Sequence, residues 1–170
     1  MFGQNKATRA NDIKPVWQMD DQERLAEQQR RVLNLAQTFQ NKGAKVIVVE
    51  DTIHLETDKN NYYVDVAPYD PRIVKVTVIY EISPGDLDRA SWACYNAGLV
   101  VHGAKAKALP LGDGYRLEFV AEVYAGTIEA FTDVISFHLA AIEDCREAFI
   151  KFVGQAAEME TLSWSDRSPL

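Results

Sequence analysis

His54 and Glu56 stand two apart in Ile53 to Glu56, a stretch that reads as a short strand, so both side chains fall on one face. An imidazole and a carboxylate so placed are two of the ligands a zinc ion takes, but a site needs a third and a fourth. A zinc deaminase would add P-C-x-x-C after H-x-E. Here the only cysteines, Cys94 and Cys145, lie far apart in the chain. The pair reads as a solvated strand face, and no metal is expected.

Other arrangements fail in similar ways. Asp58-Lys59-Asn60-Asn61 opens like a calcium loop, but Tyr63 stands at the sixth position in place of Gly and Tyr69 at the twelfth in place of Glu. Glu118 and Glu122 share a strand face, yet four residues of extended chain set them roughly 13 Å apart. A glycosidase pair needs about 5–9.5 Å, so these read as surface charges beside Arg116. His138 sits next to an apolar helical stripe without a nucleophile or orienting acid that the sequence identifies. It reads as a partly buried, satisfied histidine, and His102 likewise. There is no phosphate-binding loop, dinucleotide fingerprint or G-x-S-x-G elbow. The expectation is a protein that is not an enzyme and takes no cofactor.

The elements that would position any site follow from composition and period. The chain has 170 residues, 47% hydrophobic and 25% charged, with a net charge of −7. That is one globular domain without the clustered Lys and Arg that phosphate-backbone binding requires. No window approaches the roughly 20 apolar residues that span a bilayer, and Met1 to Met19 lacks the apolar core of a targeting segment. A cytoplasmic location is expected, with no nucleic-acid or membrane partner. Cys94 and Cys145 both fall in helical patterns, as buried free thiols or, alternatively, as one disulfide between two helices.

Residues 1–19 are aperiodic and broken by Pro15, a flexible tail. Asp20 and Glu23 form a capping box for a helix whose stripe is Leu25, Val32, Leu33, Ala36 and Phe39, ended by Gly43. Strands are expected at Lys45 to Glu50, Ile53 to Glu56, Tyr62 to Ala67 and Arg72 to Ile82, with a polar turn at residues 58–61. Ser83-Pro84 marks entry to a second helix, with Pro84 at its first position. Leu87, Ala90, Cys94 and Ala97 are its buried face and Gly98 its end. Leu99 to Leu109 and Tyr115 to Tyr124 form a hairpin about Gly112-Asp113-Gly114. Ala104, Ala106, Ala108, Leu117, Phe119 and Ala121 should face the helices, and Lys105, Lys107, Arg116, Glu118 and Glu122 the open side. Thr127 caps a last helix that Gly154 ends, leaving a polar tail at 155–170 and a single domain at 20–154. The fold class is α+β: an antiparallel sheet covered by helices, in the order α-β-β-β-β-α-β-β-α.

That element order resembles the YbjN-like bacterial proteins, which share the type III secretion chaperone-like fold. So do Asn96 near the end of the middle helix, Phe131-Thr132-Asp133-Val134-Ile135 in the last helix, and Tyr63-Val64-Asp65-Val66 followed by Pro68-Tyr69-Asp70-Pro71. The likeness spans roughly residues 21–153 and rests on packing and turn residues. It implies a non-enzymatic regulatory or chaperone-like role, frequent dimers, and no catalytic residues to carry over.

One feature of the residues points the same way. The last helix carries a second apolar row, Val134, Phe137, Ala141, Ala148 and Phe152, beside its main stripe. A helix that only covers a sheet needs one stripe, so the second marks either a deeply buried helix or an interface. Trp92 and Tyr95 also lie off the buried face of the middle helix, and aromatics are enriched at interfaces. The expected function is a protein-interaction module, chaperone-like or regulatory, that forms a homodimer or holds another polypeptide. The interface candidates are Trp92, Tyr95, Val134, Phe137, Ala141 and Phe152. The alternative is a small-molecule-binding regulator with a pocket between sheet and helix.

Overall fold

The structure is a computed structural model that describes residues 14–57 and 60–165. After a single 3-10 turn at Val16–Gln18, the elements are α1 (Asp21–Asn41), β1 (Lys45–Val49), β2 (Thr52–Glu56), β3 (Asn61–Val66), β4 (Ile73–Ile82), α2 (Leu87–Val100), β5 (Lys105–Leu111), β6 (Gly114–Tyr124) and α3 (Ile128–Ser165). The class and order are those read from the sequence. The strands form one antiparallel sheet in the order β1-β2-β3-β4-β6-β5, so β1 and β5 are its edges. Among the described residues no helix is long and apolar enough to cross a membrane.

Alternation along the strands sets the core. Val74, Val76 and Val78 of β4 pair with Val123, Ala121 and Phe119 of β6. All six are buried in one cluster with Leu35 of α1, Ala93 and Ala97 of α2, and Ile142 and Cys145 of α3. The hairpin register is the expected one: Ala106 pairs with Phe119, Ala108 with Leu117 and Lys107 with Glu118. Phe119 is fully buried, while Lys105 and Lys107 are exposed. Gly114 is required at the hairpin's return, because the carbonyl oxygen of Ile82 occupies the place a Cβ would take.

Four local expectations are corrected. In α1 the buried row is Gln28, Arg31, Val32, Leu35, Ala36 and Phe39, and Leu25 and Leu33 are exposed. The helix turns inward a face holding two polar residues because each reaches a backbone carbonyl: Gln28 Nε2 donates to Val66 O at 3.0 Å and Arg31 Nη1 to Ala125 O at 2.9 Å. Pro84 lies in the turn before α2, not within it; Asp86 is the N-cap and accepts from the Arg89 N–H at 3.0 Å. Gly98 is inside α2, which runs on to Val100, so β5 begins only at Lys105. Gly154 is likewise inside α3, which continues to Ser165. A glycine within a helix costs only about 1 kcal/mol, and half-buried Phe152, Val153, Ala156 and Ala157 on either side keep the helix packed. Most of the tail expected at 1–19, residues 1–13, and part of the turn at 58–61 lie outside the described residues.

Candidate interaction surface

The second apolar row of α3 has a partner inside the chain. The ring of Trp92 on α2 meets that of Phe152 on α3 edge-on, at 5.9 Å between centroids. At the other end, a Cβ on Gly103 just after α2 would touch Phe137 Cε1 and Ala141 Cβ, each at 3.5 Å. The two helices therefore run antiparallel in contact. Ala141 is buried and Phe152 half-buried between them, so these two candidates pack within the fold and are not open surface.

What remains open is the outer side of that pair. Tyr95 is 68% exposed and Phe137 66%, and Leu99, Val100 and, to a lesser degree, Trp92 and Val134 are exposed on the same two helices. Tyr95 and Leu99 are one helical turn apart, so α2 presents them together. Single exposed apolar residues are ordinary; several on adjoining helices are the composition of a contact surface.

The other face of the sheet is charged. Lys75 pairs with Asp65 and with Glu122, and Glu81 with Arg116 at 3.6 Å. Thr52 Oγ1 donates to Asp65 Oδ1 at 2.6 Å. A groove of about 450 Å³ lies beside β5, lined by Lys105, Lys107 and Glu122 of the strands, by Gly98 and Val101 at the end of α2, and by His102 of the α2–β5 loop.

Of the titratable residues singled out by type, His54 and Glu56 are held in structural contacts, whereas His102 is exposed and His138 is not fully satisfied, against expectation. His54 packs edge-on against Tyr63 at 4.8 Å, and Glu56 pairs with Lys45. Among the described residues no three or more His, Cys, Asp or Glu side chains gather where they could hold a metal. His138 is half-buried against the Phe137 ring, and its Nδ1 has no hydrogen-bond partner. Cys94 and Cys145 are buried free thiols. Burial, then the neighbouring Cys145, pushes the Cys94 thiol up to about 12, and burial pushes Cys145 up to about 11. Such thiols are poor nucleophiles near neutral pH.

A polar cluster that sequence reasoning missed ties the β2–β3 turn to α3. Tyr80 Oη donates to Asn60 Oδ1 at 2.8 Å, and Asn60 Nδ2 and Tyr62 Oη both donate to Glu143 Oε1. Arg146 completes it at 2.6 Å from Glu143 Oε2. Burial raises the Tyr62 hydroxyl above its ordinary value, and the Glu143 charge adds to the shift against the opposing hydrogen bond from Asn60. These residues are scattered in sequence, and only a Tyr-rich β3 hinted at them.

No family model matches the chain. No curated protein matches it either. Among solved structures it is similar to the crystal structure of "YbjN, a putative transcription regulator from E. coli", with a TM-score of 0.51 and 13% identity over 75% of this chain and 91% of that one. At that identity the likeness concerns the fold alone: this chain has a YbjN-like α+β fold.

Proposed function

We infer that this protein is a non-enzymatic interaction module, chaperone-like or regulatory, that works as a homodimer and holds another polypeptide on the outer side of the α2–α3 pair. The observation that carries the reading is the exposure of Tyr95 and Leu99, one turn apart on α2, and of Phe137 on the adjoining α3. Helices anchored on a sheet keep such residues fixed, so a partner's apolar side chains lose little to reorganisation when they dock. The YbjN-like fold, seen in a protein described as a regulator, agrees with a role of this kind. The face is tested by the fluorescence of an apolar dye such as bis-ANS. Wild-type protein should enhance it, and the double variant Tyr95→Glu/Phe137→Glu should lose most of the enhancement with its far-UV circular dichroism unchanged. No enhancement by the wild type contradicts the reading.

A second reading, a regulator that responds to a small molecule, is favoured by the groove beside β5. Its size falls in the range of ligand sites, and Lys105, Lys107 and His102 suit a small carboxylate or phosphate ester. Such a ligand should raise the melting temperature of the wild type and not that of Lys107→Ala.

A further inference from the structure

The two edges of the sheet are built differently. β5 carries Lys105, Lys107 and Pro110, residues that discourage another strand from adding to an edge. β1 reads Lys-Val-Ile-Val-Val, with one lysine at its entry and neither charge nor proline in the four residues that follow. Ile47 is 56% exposed, with Val48 and Val49 also open. An unguarded apolar edge either aggregates or has a dedicated strand to pair with.

The ladder fixes which backbone groups β1 offers. Thr57 N donates to Asn60 O at 3.0 Å, closing the β2–β3 turn on a hydrogen-bonded pair. Hydrogen-bonded and non-hydrogen-bonded pairs alternate along an antiparallel ladder. Leu55–Tyr62 and Ile53–Val64 are therefore the pairs bonded between β2 and β3. Thr52, His54 and Glu56 then turn their N–H and C=O groups toward β1, where they meet Val49, Ile47 and Lys45. The groups left facing outward are those of Val46 and Val48.

We propose that β1 pairs antiparallel with β1 of a second copy about a two-fold axis at Ile47. The inference rests on the reading of the chain as a homodimer and names the contact that makes it. With Ile47 opposite Ile47, Val46 of each copy faces Val48 of the other, and all four outward N–H and C=O pairs find partners. No residue of the five-residue strand is left over. Shifting the axis to Val48 would pair Val46 with Glu50, which has φ +54 and has already left the strand. The charges agree with an antiparallel copy. The basic entry to β1, Lys42 and Lys45, comes beside the acidic turn Glu50-Asp51 of the other copy, twice by symmetry. The two six-stranded sheets then join into one, with all helices on the same side. The outer side of α2–α3 stays free for another polypeptide. A contact of this length is small for a permanent dimer, so the dimer should dissociate on dilution.

Cysteine placement tests this directly, because the native cysteines are buried and free. Ile47→Cys places two thiols across a non-hydrogen-bonded pair, about 4.5 Å apart at Cα, within the span of a disulfide. Val49→Cys places them roughly 13 Å apart. On mild oxidation Ile47→Cys should give a covalent dimer and Val49→Cys should not. In sedimentation equilibrium the wild type should move from one chain of 19.1 kDa to two as concentration rises. Ile47→Lys, which sets like charges on the axis, should stay at one chain, and Phe137→Glu should match the wild type. A wild type that stays at one chain, or equal cross-linking at both positions, overturns the proposal. A dimer that survives Ile47→Lys but is lost in Phe137→Glu overturns it while leaving the homodimer reading intact.

Discussion

The guanidinium of Arg31, in the middle of α1, reaches the carbonyl oxygen of Ala125 at 2.9 Å, where β6 gives way to α3. It also donates to the Gly126 carbonyl, and its Nε lies 2.8 Å from Glu27 Oε1. Arg31 is 2% exposed. One planar cation thus satisfies two strand-end carbonyls and a carboxylate and holds α1 to the rest of the fold.

Removing that side chain leaves the two carbonyls without this donor and Glu27 with Arg30 alone. Arg31→Met should lower unfolding stability by about 3–5 kcal/mol, the cost of breaking a buried charged contact from one side. The readout is the urea midpoint at unchanged slope. A loss under about 1 kcal/mol would mean that α1 is held by its apolar row alone.

Arg31 also marks where sequence reasoning stops. A polar residue between Arg30 and Val32 scores as surface, and nothing local reveals that a carbonyl waits for it in a segment far along the chain. Leu25 and Leu33 misled for the complementary reason: they are apolar, but the helix turns on the phase its long-range hydrogen bonds select. Strands were easier, because an alternation such as Leu117, Phe119, Ala121 fixes both face and register once a partner of small residues is near. The second row on α3 was visible, but its cause was not, since a helix covered by α2 and one covered by another molecule have the same pattern. That β1 forms an edge is a matter of topology, which the run Lys45 to Val49 does not encode.

The hairpin register makes a paired prediction. Phe119→Ala removes a fully buried ring that meets Tyr80 and Phe149 edge-on, and should cost about 3–5 kcal/mol. Lys107→Ala, on the open face, should cost well under about 1 kcal/mol. Thermal or urea unfolding of the two variants decides; a larger loss in Lys107→Ala would mean the faces are exchanged.

Acid should unfold the protein through paired carboxylates. Burial would raise Glu27, but the hydrogen bonds from Arg30 and Arg31 outweigh it and hold the carboxyl below its ordinary 4.5. The hydrogen bond from Arg72 holds Asp70 below 3.8. A carboxyl so lowered binds protons more readily in the unfolded chain. Its contribution is complete above the ordinary value and is lost as pH falls through the lowered one. The urea midpoint should be flat from pH 7 to about 5 and drop below that, and Glu27→Gln should flatten part of the drop. An acid limb identical in Glu27→Gln would remove Glu27 from the account.

The thiols offer a check on packing. With Cys94 pushed up to about 12 and Cys145 to about 11, neither should react with a disulfide reagent near neutral pH while the chain is folded. Both should react once it is unfolded in guanidinium. Rapid native reaction of either would show that α2 and α3 part readily.

Whether the outer side of α2–α3 holds another polypeptide is read most directly from the light scattering of a heat-denatured test protein. Equimolar wild type should delay its aggregation, and Tyr95→Glu/Phe137→Glu, folded as the wild type is, should not. A wild type without effect even in excess, or a double variant that protects equally well, would contradict the account.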